Sequence, residues 1–177
     1  MRALGPGSVS SFLKVILDVF YAVLWAAAIG LAIGVLALLL LSFKPELLGN
    51  HLTIDNWRIE GPWMAQTAAA ALLGWGLYVA GTIVIVGRLR RIFRTLTVGD
   101  PFHPDNVRRL RVIGVTLGAL ELGRYAAAAL AKLVPASQAK IHGGVNLTTW
   151  FAVLVIIVLA EVFREGARLR RDAELTI

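Results

Sequence analysis

The sequence predicts an all-α integral membrane protein: four transmembrane helices in a bundle, with the N- and C-termini both cytoplasmic. Three observations lead there. Of its 177 residues, 58% are hydrophobic, more than soluble domains carry. The excess sits in four blocks rather than in one large core. The arginines gather at the ends of those blocks. They are densest in RLRRIFRTLTVGDPFHPDNVRRLR, residues 88–111, which holds seven.

The formal net charge is +7. Nucleic-acid binders also run basic, but charge at the ends of apolar blocks fits lipid headgroups and insertion topology better. There is no cysteine, which excludes disulfides and thiolate metal sites. The length suffices for four helices and short connections, so one domain over residues 1–177 is expected.

The first span covers residues 19–41. It carries no charge and reaches roughly 34 Å at 1.5 Å per residue. A signal peptide would have a shorter apolar region and a small-residue cleavage site; this run ends LLLLSFKP and reads as a retained helix. Lys14 and Asp18 stand four apart just before it. Ala22, Ala26, Gly30 and Gly34 form a small-residue stripe suited to close helix approach, with ordinary small-residue content as the competing account.

Residues 42–62 form the first outer loop. Its HLTI and WRIE segments flank Asp55-Asn56 and predict a small hairpin. The second span covers 63–86, with Trp57 and Trp63 suited to the interface belt. Beyond Gly87, Leu89, Ile92, Phe93 and Leu96 keep helical spacing between arginines, so this helix continues as an amphipathic stem. Gly99 and Pro101 end the stem. Pro104 and Asp105 suit the first turn of the next helix. The link 88–111 is therefore a helix–tight turn–helix hairpin at the cytoplasmic membrane surface. The third span covers 112–134, the second outer loop 135–146 and the fourth span 145–163, followed by an arginine-bearing tail.

Topology follows from the charges. The N-terminal segment, the link and the tail hold thirteen lysines and arginines, against four in the other two loops with the helix end beside them. Four spans with both termini inside satisfy that bias.

Glu121 and Arg124 fall near the middle of the third span, where a charge costs at least about 2.5–3.5 kcal/mol. At i, i+3 they can share a face. One reading is an intramembrane polar site for a ligand, a proton or a switch. The other is an internal ion pair that fixes helix register, with Tyr125 as a hydrogen-bond partner. His51, His103 and His142 lie in loops without metal-ligand spacing and read as surface histidines or, for His103, part of the turn. No metal and no cofactor are expected. No catalytic motif is present, so the chain does not read as an enzyme.

Arg88, Arg90, Arg91, Arg94, Arg108, Arg109 and Arg111 have three readings: topology determinants that hold anionic headgroups, a dock for an acidic partner, or a nucleic-acid contact. The last lacks a recognition helix. Glu161 has Arg164 and Arg168 at helical spacing, and a pairing across to the arginine link would join two distant segments.

Two of these segments carry a resemblance. GDPFHPDNVRRLRVIG, residues 99–114, and LAEVFREGARLRRDAELTI, residues 159–177, resemble the two signature segments of the domain of unknown function 2975 family. The resemblance extends over nearly the whole chain. It implies a small bacterial four-helix protein of the inner membrane, with no assigned catalytic residues. It also implies a partner, since such proteins are often encoded beside a very small helix-turn-helix regulator of the Cro/CI type. Under it, Gly99, Pro101, Phe102, Asn106, Arg108, Arg109, Arg111, Glu161 and Arg164 belong to a cytoplasmic motif that touches a partner or lipid.

Two functions follow as expectations. One is a non-enzymatic sensor or regulator that signals through its cytoplasmic surface. The other is a small transporter or channel using Glu121 and Arg124, which would need several copies of the chain because four helices are few for a carrier.

Overall fold

The computed structural model describes residues 9–43, 51–54, 57–60, 64–97, 102–133 and 144–174. Among the described residues there are four long helices and one short hairpin: α1 (Val9–Leu41), β1 (His51–Ile54), β2 (Trp57–Glu60), α2 (Met64–Thr97), α3 (Pro104–Leu133) and α4 (Leu147–Glu174). All four helices are long and apolar enough to cross a membrane, over Phe12–Leu41, Gln66–Leu96, Pro104–Leu130 and Leu147–Asp172. That makes the chain a multi-pass membrane protein. Helices are the expected solution, because each satisfies its own backbone polar groups where no water reaches.

The helix ends are built from local side chains. α1 closes with the Ser42 amide donating to the Leu38 carbonyl at 3.0 Å and the Ser42 hydroxyl to the Leu39 carbonyl at 2.6 Å. α3 opens on Pro104, whose missing N–H costs nothing there. His103 caps it: its Nδ1 accepts the Asp105 amide at 3.2 Å, and its carbonyl accepts the Asn106 amide at 2.8 Å. Asn146 caps α4, its Oδ1 accepting the Thr149 amide at 3.3 Å.

HLTI and WRIE pair as an antiparallel hairpin, with His51 opposite Glu60 and Ile54 opposite Trp57. Two residues separate the strands, the length of a tight hairpin link. α2 keeps its helix through the arginine stem to Thr97. α4 also continues, to Glu174, past the apolar stretch ending at Phe163. Apolar content alone did not show that continuation. Glu161, Arg164, Glu165 and Arg168 carry it, because they form two i, i+3 ion pairs along the extension.

The chain forms two compact units. Unit 1 comprises Met1–Val23, Gly81–Glu121 and Asn146–Ile177. Its core is Ile92, Leu110, Ile113 and Ala160, with Ile85, Leu96, Leu117, Ile156 and Phe163 packed around them. α2, α3 and α4 all contribute. Gly114 lies at this contact, where a Cβ would stand 3.4 Å from Ile156, an ordinary van der Waals distance. Unit 2 comprises Leu24–Ala80 and Leu122–Val145, with Ala68, Ala69 and Ala128 buried. Within it Gly34 faces Leu72, and a Cβ there would come within 3.2 Å.

Much of the remaining apolar surface is open. Ile29, Ile33 and Leu36 on α1, Leu73 and Leu77 on α2, and Leu154, Ile157 and Val158 on α4 are all exposed. In water, a surface of this kind marks an interaction site or an aggregation hazard. In hydrocarbon it is the solvated state.

Candidate functional site

The site grows from Asn106, which is 0% exposed in the first turns of α3. A buried amide needs its donors and its acceptor satisfied. Its Nδ2 donates to the Thr95 hydroxyl at 2.8 Å, and that hydroxyl donates to the Ile92 carbonyl at 2.7 Å. Its Oδ1 accepts from Arg109 Nη1 at 2.9 Å. Arg109 Nη1 also reaches the Arg91 carbonyl at 3.2 Å, and Nη2 reaches Asp105 at 3.5 Å. One side chain therefore fastens the end of α2 to the start of α3. Asn106 stood among the expected partner or lipid contacts; full burial makes it an internal hub instead.

Phe102 extends the hub to α4. Its ring lies 5.7 Å from that of Phe163, tilted by 54°. It also covers Gly166, where a Cβ would come within 2.6 Å of the ring. The two sequence segments that a pairing of Glu161 across to the link would have joined meet through Phe102 and Gly166. Glu161 pairs along its own helix with Arg164. Gly99 and Pro101 lie outside the described residues.

Asp18 adds α1. Its carboxylate accepts from Arg90 Nε at 2.6 Å, and the guanidinium sits 4.4 Å from the centre of the Tyr21 ring. Sequence spacing had set Asp18 beside Lys14. A signal was available: a carboxylate opening an apolar helix needs a cation, and the stem of α2 supplies several. Thr95 was missed as well. It lies three residues after Ile92 on the buried side of the stem, where a hydroxyl calls for a polar partner.

The arginines divide by what they do. Arg90 and Arg109 are held by internal partners. Arg91, Arg94, Arg108 and Arg111 are exposed, and Arg88 is half-buried. Four acids in unit 1 each hold one arginine: Asp18 with Arg90, Asp105 with Arg109, Glu161 with Arg164, and Glu165 with Arg168.

Glu121 belongs to unit 1 and is 6% exposed. Arg124 and Tyr125 belong to unit 2, where Arg124 donates to the Gly144 carbonyl at 2.8 Å and lies 4.9 Å from the Tyr125 ring centre. His51 is in β1, His103 caps α3 and His142 lies outside the described residues. Among the described residues, no three His, Asp or Glu side chains gather as a metal site would require.

Fold and site together define a multi-pass helical membrane protein with a polar hub inside an arginine-rich helical end. The chain belongs to the family described as Protein of unknown function (DUF2975), whose sequence model matches residues 56–177. The match begins within the hairpin, so α1 falls outside it, whereas the resemblance extended over nearly the whole chain. No curated protein and no solved structure matches the chain.

Proposed function

We propose that this is a non-enzymatic regulatory protein of the bacterial inner membrane, with both termini in the cytoplasm. Its end of unit 1 docks a small cytoplasmic helix-turn-helix protein. The observation that carries this reading is the buried Asn106 hub with Phe102 seated on Gly166. Through them α2, α3 and α4 share one polar and aromatic joint. A shift of any of these helices in the bilayer is then felt by the arginines around the joint. A regulator needs two states of different partner affinity, and a shared joint is where two packings can be exchanged. The charge bias supports the orientation.

The test is co-purification of the full-length protein with a small helix-turn-helix protein of the Cro/CI type from the same cells. Capture that is lost on Gly166→Ala, which displaces Phe102 from the joint, supports the reading. Absence of any cytoplasmic partner in cross-linked cells overturns it. A cysteine at position 105 labelled from outside the cell overturns the orientation.

The carrier reading keeps one observation, the burial of Glu121. Unaltered flux through Glu121→Gln in proteoliposomes removes it.

A further inference from the structure

The pairing of α1 with α2 inside unit 1 bears on where the bilayer ends. Asp18 meets Arg90, while Tyr21 meets Arg90 and lies against Gly87, so the helices run antiparallel. With a common rise of about 1.5 Å per residue, Phe12, Val15 and Ile16 stand level with the turns holding Arg91 and Arg94. All three apolar side chains are exposed, Phe12 by 69%. On the other side of the core, Ala160 packs with Leu110, which brings exposed Leu159 and Val162 level with Arg108 and Arg111. Open apolar side chains and guanidinium groups thus occupy one layer.

Among the described residues of this layer, Asp18, Asp105, Glu161 and Glu165 are committed to Arg90, Arg109, Arg164 and Arg168. Exposed Arg91, Arg108 and Arg111 have no acid partner among the described residues. A cationic layer beside apolar side chains is the composition of a bilayer interface. Length agrees: Phe12–Leu41 is 30 residues, against the 20 or so that a hydrocarbon core requires. The surplus lies at the end that carries Phe12.

We propose that this layer binds the phosphate headgroups of anionic lipids through Arg91, Arg108 and Arg111, with Phe12, Val15 and Ile16 among the adjoining acyl chains. Lipid is the occupant because the apolar strip runs on without a break in exposure into Val19, Phe20 and Val23 of the same span. An acidic protein would meet the arginines but leave that strip uncovered. The proposal does not depend on the regulator.

The chain has no cysteine, so Ile16→Cys can carry a single fluorophore on the full-length protein. Reconstitution in phosphatidylcholine with phosphatidylglycerol, either lipid brominated on its acyl chains, reads contact directly. Quenching by brominated lipid and not by acrylamide is expected, with brominated phosphatidylglycerol favoured on the order of fivefold per arginine. Arg91→Gln with Arg108→Gln and Arg111→Gln removes the preference. Should that variant fail to fold, raising the salt on the parent protein must remove it instead. Equal quenching by the two lipids overturns the proposal. So does quenching by acrylamide, or shielding from every quencher, which would place a second copy or another protein on the strip.

Discussion

Asn106 Nδ2 donates to Thr95 Oγ1 at 2.8 Å, so one amide closes the turn between α2 and α3. The Asn106 amide cannot turn to water, because it is fully buried, with Thr95 half-buried beside it. The pair is therefore asymmetric in its energetics. Making it contributes little beyond what water would have given, but breaking it strands a polar group. Asn106→Leu is expected to cost about 1–3 kcal/mol and Thr95→Val about 1 kcal/mol. The double variant should cost less than the two together, since no orphan remains between them. Unfolding of the purified protein in detergent measures all three, and strict additivity would dissolve the hub.

The Asp18–Arg90 pair joins a helix outside the family match to one inside it. Both side chains are about a third exposed or more, so in water the pair would contribute only about 0.2–1 kcal/mol. Asp18→Arg should destabilise by about that amount, through repulsion as well as loss. The exchange Asp18→Arg with Arg90→Asp should recover most of it. If the exchange is no better than the single change, the Tyr21 contact and apolar packing hold α1 there instead.

These two relationships differ in how far they can be read from the residues. The helices themselves are legible: four apolar blocks, an amphipathic stem with Leu89, Ile92 and Leu96, and Pro104 opening α3 are local patterns. Asp105 and Arg109 are also local, at i, i+4. Asn106 is not. Leu110 and Ile113, at i+4 and i+7, put it on the apolar face, but what satisfies its amide there sits in Thr95, eleven residues back across the turn. Asp18 needs a partner 72 residues away. Hydropathy is silent in the tail, where i, i+3 ion pairs run along the helix. Gly166 next to Phe102 is the hardest case, because a lone glycine in a charged helix reads as a weak point until the ring that covers it is placed.

Gly81 and Gly30 look alike in sequence and differ in surroundings. A Cβ on Gly81 would stand 2.6–2.9 Å from three atoms of Leu120, including its branch carbon. Gly30 meets nothing within 4 Å. Alanine gains about 1 kcal/mol over glycine in a helix interior, and overpacking costs about 1–3 kcal/mol. Gly81→Ala should therefore lower stability and Gly30→Ala should leave it unchanged or raise it. Opposite signs in one unfolding assay are the expected result; equal effects would mean that Leu120 yields freely.

Phe102 over Gly166 sets up a test in which stability and position separate. Gly166→Ala puts a methyl where the ring now lies, but Phe102 is 39% exposed and can swing outwards. Losing its contact with Phe163 costs about 0.5–1.5 kcal/mol, and alanine returns about 1 kcal/mol in helix propensity. The unfolding midpoint should hardly move. A fluorine on the ring at 102 should nevertheless report a new environment by NMR. In a Phe102→Ala background the ring is gone, so Gly166→Ala should now stabilise by about 1 kcal/mol. If the fluorine signal stays put while stability falls, Gly166 matters for packing elsewhere on α4. If both behave as expected, Gly166→Ala moves Phe102 without unfolding the helices, and any change it makes in partner capture belongs to the joint itself.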